Sequence, residues 1–201
     1  MRRLLTLILA VSLCSLATVA WSGDVKKGWQ AYNALDYASA KSEWQELADT
    51  GDADAAYGMG MLYGNGFGVD MNDELALKYY GVAAQQGHAD AAFNLAVMHQ
   101  NGWGVPASDE VANKWYLVAA NKGNTEAQMA LGRYYAMDFL DTYDPVKAFK
   151  WFNLAEKLGD FGASEKREFM ASRMTPEQLG EAQRIVEAWV ADNKALFKNM
   201  D

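Results

Sequence analysis

Few side chains in this sequence are of the kinds that perform chemistry, and their spacing narrows the options further. There are two histidines, His88 and His99, and one cysteine, Cys14. The 11-residue separation of the histidines matches no helical two-histidine zinc motif, in which ligands recur one turn apart. His88 falls at a turn and is expected to be exposed. His99 falls on an apolar helix face and is expected to be a hydrogen-bonded core residue. No G-x-S-x-G nucleophile elbow and no phosphate-binding glycine loop occurs. Asp138, Asp141 and Asp144 group closely enough to suggest a hard cation. Calcium, however, takes about six to eight oxygens, and the twelve-residue loop with its closing glutamate is absent. These residues predict a protein with no catalytic constellation, no cofactor and no metal site.

The elements that would position any functional residue are repeats. Residues 51–86 are followed at once by a near copy, residues 87–122, identical at 17 of 36 positions. A looser third copy spans residues 123–158. Self-similarity at such a period marks a solenoid. In the first copy Ala55, Met59, Leu62 and Tyr63 share one helical face. The glycines of Asn65-Gly66-Phe67-Gly68-Val69 then break that helix. Asn72 or Asp73 caps a second helix, whose face is Ala76, Tyr79, Tyr80, Ala83 and Ala84. The later copies repeat this with Ala91, Leu95, Met98 and His99, then Ala112, Trp115, Tyr116, Ala119 and Ala120. In the third copy the sets are Ala127, Leu131, Tyr134 and Tyr135, then Ala148, Trp151, Phe152 and Ala155. Each unit therefore reads as a helix–turn–helix hairpin.

The order A-x-x-x-L/M-G/A, then G-x-G-V, then A-x-K-W/Y-Y/F-x-x-A-A, closing on G-D/H-A-D-A, resembles the Sel-1-like repeat. That family is a short relative of the tetratricopeptide repeat. The resemblance covers about residues 37–165. It implies an all-α, right-handed α/α superhelical solenoid that serves mainly as a protein-interaction scaffold. The third copy departs from the pattern, with Asp138-Phe139-Leu140-Asp141 in place of G-x-G-V. Some secreted relatives are linked to β-lactam or cell-wall binding, so an envelope enzyme is the alternative function. A secreted effector binding host proteins is another.

Residues 1–22 have the form of a secretory signal: Met1-Arg2-Arg3, a short apolar run, then small residues with Ala20 and Ser22 at the −3 and −1 positions of a cleavage site. A retained anchor is the alternative, although the run is short for a span of about 20 residues. Lipidation at Cys14 is disfavoured by the bulky Leu13 before it. This segment holds Arg2 and Arg3 and no acid. Without it, 18 basic residues become 16 against 26 acidic ones, a net charge of −10, and no cysteine remains for thiol chemistry or staples. Such a charge argues against nucleic acid and against anionic lipid. The expectation is a periplasmic or secreted protein, not inserted in the membrane after signal removal, whose partner is another protein, with a basic segment as a candidate contact.

Residues 23–50 read as two N-terminal capping helices and a partial repeat, with Trp29, Tyr32, Ala40, Trp44 and Leu47 buried. Residues 159–201 read as a degenerate repeat, with Ala163 and Phe169 inward, and a C-terminal capping helix. That helix begins at Thr175-Pro176-Glu177-Gln178, a capping-box pattern, with Leu179, Ala182, Ile185, Val186 and Trp189 as its apolar stripe.

Two surface rows recur at the repeat period. In relatives of this architecture the first helices line the concave face. There Asp54, Gly58, Met61 and Asn65, then Asp90, Asn94, Val97 and Asn101, then Glu126, Ala130, Arg133 and Met137 would stack. One reading has Asp54, Asp90 and Glu126 recognising a basic segment, with Asn94 holding its backbone. The other has each acid in a first helical turn, stabilising the helix dipole by about 0.3–1 kcal/mol without a ligand. The loop rings Phe67, Trp103 and Phe139 form the second row, either an exposed binding edge or plugs between hairpins. A plug would make Trp103→Ala cost about 3–5 kcal/mol.

Overall fold

The structure is a computed structural model and describes residues 24–198. Among them are ten α-helices, a final 3-10 turn (Lys194–Phe197) and no strand. A short pair, α1 (Val25–Asn33) and α2 (Tyr37–Asp49), precedes three hairpins. These are α3 (Ala53–Asn65) with α4 (Asp73–Gln85), α5 (Ala89–Asn101) with α6 (Asp109–Asn121), and α7 (Thr125–Ala136) with α8 (Pro145–Lys157). Then come α9 (Ala163–Ser172) and α10 (Pro176–Asp192). Each helix from α1 to α8 packs on the next, which is the connectivity of an α/α solenoid. The N-terminal leader expectation for residues 1–22 lies outside the described residues.

Local sequence explains where each helix starts. Asp24, Asp36, Asp52, Asn72, Ser108, Asn124, Asp144 and Thr175 are N-caps whose side chains accept from the third residue on. Asn72, rather than Asp73, caps α4. Thr175 and Gln178 complete the capping box. Helices α3 and α5 end on Gly66 (φ 69°) and Gly102 (φ 74°) in the left-handed region, where glycine alone is unstrained. The second glycine of each loop serves proximity as well. A Cβ on Gly68 would lie 2.6 Å from the Cβ of Tyr37, and one on Gly104 3.0 Å from that of Asp73. The third hairpin has no such glycines. Its first helix stops at Ala136, and Met137 takes an extended conformation instead.

Packing depends on one aromatic per unit. Trp44, Tyr80, Tyr116 and Phe152 recur every 36 residues and are all at least 95% buried. Three of the four seat on glycine. Cβ atoms on Gly28 and Gly58 would lie 2.1 and 2.6 Å from the Trp44 indole. On Gly60 the Cβ would meet the Tyr80 ring at 2.5 Å, and on Gly132 the Phe152 ring at 2.4 Å. Gly58, expected on the open stripe, is thus buried under Trp44. Alanines fill the remaining helix contacts, with Ala55, Ala91 and Ala127 at zero exposure. Of the expected N-terminal face, Ala40 and Trp44 are buried, while Trp29, Tyr32 and Leu47 are half-buried.

The C-terminal end departs from repeat geometry. Helix α10 packs on α8 rather than pairing with α9. Its Trp189 Nε1 donates to Asn121 Oδ1 at 3.4 Å, reaching back to the α6–α7 turn. On α9, Ala163 and Met170 are buried, but Phe169 is 56% exposed, correcting its inward assignment. The register explains this, because Phe169 falls where Val97 and Arg133 stand on the open face of the earlier helices.

Two glycine-to-alanine changes in helices should have opposite signs. Gly132→Ala drives a Cβ into the Phe152 ring and should destabilise by about 1–3 kcal/mol. Gly81→Ala meets nothing within 4 Å and should stabilise by about 0.5–1 kcal/mol through backbone entropy alone. Urea unfolding followed by circular dichroism measures both.

Candidate functional site

The first helices of successive units leave a groove divided into clefts, each floored by the recurrent aromatic. The first cleft lies between α3 and α5 over Tyr80, with Tyr57, Met61, Asn94 and Val97 on its walls. The second lies between α5 and α7 over Tyr116, with Phe93, Val97, Ala130 and Arg133. The third lies between α7 and α9 over Phe152, with Arg133, Lys166 and Phe169. Corresponding wall residues are 36 positions apart: Tyr57 and Phe93, Met61 and Val97, Asn94 and Ala130. Met61, Asn94, Val97 and Arg133 therefore meet along one groove, as their spacing suggests. Burial first, and then the Asp90 carboxylate, raise the pKa of the Tyr57 phenol. Burial likewise raises that of Tyr80. Both hydroxyls stay protonated and present neutral hydrogen-bonding groups to the cleft.

The acidic row does something neither sequence reading contained. The Asp54 carboxylate lies 3.7 Å from His88 Nε2, and Asp90 Oδ1 accepts from Asn124 Nδ2 at 2.9 Å. His88 and Asn124 are the N-caps of the next first helices: His88 Nδ1 accepts from Ala91 N at 3.2 Å and Asn124 Oδ1 from Ala127 N at 2.8 Å. Each acid thus ties its own helix to the cap of the following unit. In the third register the tie fails, because Glu126 lines the same cleft as Asp160, another carboxylate. Asp54, Asp90 and Glu126 remain largely exposed, so the row keeps its charge toward solvent.

Both histidines differ from expectation. His88 is half-buried, stacked on the Tyr57 ring at 4.3 Å, because its cap role holds it between two units. His99 is half-buried rather than sealed in the core. The aspartates of the third loop do not converge either. Asp138 pairs with Arg173 at 2.8 Å, Asp144 caps α8 and pairs with Lys147, and no metal-ligating cluster occurs among the described residues.

The loop rings separate into two kinds. Phe67 stacks on Tyr37 at 5.0 Å with planes 11° apart, a plug between units. Trp103 is 50% exposed and Phe139 79% exposed, so neither is a plug. One register step explains the difference: the ledge offered by Tyr37 becomes Asp73 under Trp103 and Asp109 under Phe139. Trp103 instead lines the first cleft. The cleft floors Tyr80, Tyr116 and Phe152 were legible as inner-face residues but not as groove residues. The signal that could have found them was their shared period.

Fold and groove together define a helical-repeat solenoid. The family model described as Sel1 repeat matches residues 53–88, 89–124 and 125–160, and the chain belongs to the Sel1 repeat family. Those units keep the expected period and start two residues later than the copies counted from Gly51. Among solved structures, a Sel1 repeat protein from Oxalobacter formigenes is 31% identical with a TM-score of 0.64, covering 70% of this chain and 56% of that one. A protective antigen of uropathogenic Escherichia coli, described as displaying an SLR fold, is 23% identical with a TM-score of 0.51 and shares the fold, covering 89% of this chain and 48% of that one. The chain thus spans about half the length of these two structures. No curated protein matches it. Sel1 repeat proteins generally mediate protein–protein interaction, and the family is typically a non-catalytic scaffold. Among the described residues no helix is long and apolar enough to cross a membrane.

Removing the two ring types should separate them. Phe67→Ala should cost about 2–3 kcal/mol of stability, whereas Trp103→Ala should cost under about 1 kcal/mol, since half of its surface is already in water. Thermal denaturation of the two variants tests the ranking.

Proposed function

We propose that this protein is a non-catalytic interaction scaffold of the bacterial cell envelope that holds a segment of a partner protein along its first-helix groove. The observation that carries the reading is the row of clefts at the repeat period, continuous from Tyr57 to Phe169 and open to solvent. A groove that repeats its spacing every unit suits an extended chain, whose own backbone groups also repeat. Asn94, half-buried in the first cleft, has an amide to offer that chain's backbone. The carboxylates of Asp54, Asp90 and Glu126 favour a basic segment.

The test is capture of crosslinked partners from the periplasm by the wild-type chain and by Asp54→Lys/Asp90→Lys/Glu126→Lys, with circular dichroism confirming that the variant folds. A defined protein captured by the wild type and lost by the variant is the expected result. Capture that is equal in both removes the acidic row from the binding surface. Export rests on the signal pattern of residues 1–22. Mass spectrometry of the protein from a periplasmic extract should find a chain beginning at Gly23, and an intact N-terminus there would refute cleavage.

A further inference from the structure

The third cleft differs from its predecessor by two linked replacements. In the second register Tyr116 donates its hydroxyl proton to Gln100 Oε1 at 2.8 Å. One period later these positions are Phe152 and Ala136, so a polar pair has become an apolar one and a long side chain has been shortened. Gly132 lets the Phe152 ring lie directly against α7. The resulting bay encloses about 380 Å³, close to the value of about 370 Å³ for one part of the second cleft, so the replacements change the floor from polar to apolar rather than the size of the cleft. That volume lies at the lower end of ligand cavities, which run from about 300 to 1,000 Å³. Phe169 and Met137, 56% and 40% exposed, flank it, and α10 packs on α8 without lining it.

Charge along the groove gives an occupant its direction. No lysine or arginine lines the first cleft, which Asp73 lines and which the Asp54–Asp90 row accompanies. The bay instead carries Arg133 and Lys166 against Glu165. Neither cation forms an ion pair among the described residues. Basic residues of a bound chain are therefore attracted to the first cleft and repelled from the bay.

We propose that the bay between α7, α8 and α9 is an anchor pocket for one bulky apolar side chain of a basic, extended segment of a partner protein. The proposal rests on the groove reading above and adds the anchor and the register. Packed helices lie about 8–10 Å apart, so two unit steps place the bay about 20 Å from the first cleft. An extended chain covers that distance in about six residues.

The probe is a fluorescent synthetic peptide of three lysines, a five-residue glycine–serine spacer and one phenylalanine, made in both chain directions. It is titrated against the exported chain by anisotropy. At least one direction should bind, with salt-sensitive affinity, and alanine in place of its phenylalanine should weaken binding at least about tenfold. Ala136→Trp, which fills the bay, should erase that difference, and so should the fold-sparing surface change Phe169→Ser. Equal affinity for the phenylalanine and alanine peptides overturns the pocket while leaving the groove in place. A difference that survives both bay variants also overturns it. Absence of binding by either peptide at millimolar concentration overturns it too, and the groove reading is then judged by partner capture alone.

Discussion

The contact on which the remaining structure depends is that of a large ring on a glycine of a neighbouring helix. Trp44 lies on Gly28 and Gly58, Tyr80 on Gly60, and Phe152 on Gly132. A flat ring seated on bare backbone brings two helices close along their length, and the buried area stabilises each unit by about 1.5–3 kcal/mol. Because the ring recurs every 36 residues, the same approach recurs, and identical steps generate a solenoid. Without cysteine in the described chain, this stacking replaces covalent staples.

The groove is a by-product of the same contact. Each ring that pulls a second helix against its partner leaves its outer edge at the bottom of the space between successive first helices. Floor chemistry can then change without disturbing the stack. Tyrosine gives a polar floor in the first two clefts and phenylalanine an apolar one in the third. Helix caps contribute to the same surface, since the Asp54–His88 and Asp90–Asn124 contacts join one unit to the start of the next. The protein thus builds its groove from the residues that align its repeats.

The two ends show how far repeat geometry extends. At the N-terminus Tyr37 stands where later units have aspartate, and Phe67 closes the array by stacking on it. At the other end the chain leaves the pattern after α9. Helix α10 turns back across α8, and the Trp189–Asn121 hydrogen bond holds it near the α6–α7 turn. A terminal helix placed this way covers the last hairpin yet leaves the adjoining cleft open.

By itself the sequence determined the helices and their order. Those follow from short-range chemistry: Thr175 and either Asn72 or Asp73 capping orphan amides, glycines permitting left-handed turns, and apolar residues recurring at helical spacing. The period named the solenoid, and Ala55, Met59 and Leu62 were legible as core because burial follows that spacing directly. Tertiary structure alone decided which side of a shared position faces water. Phe67, Trp103 and Phe139 look equivalent in sequence, and their fates diverge because the residue beneath each ring belongs to the previous unit. His88 and the acidic row likewise gained their roles from neighbours 34 residues away. Pairing between units depends on the relative placement of helices, which periodicity within one unit does not contain.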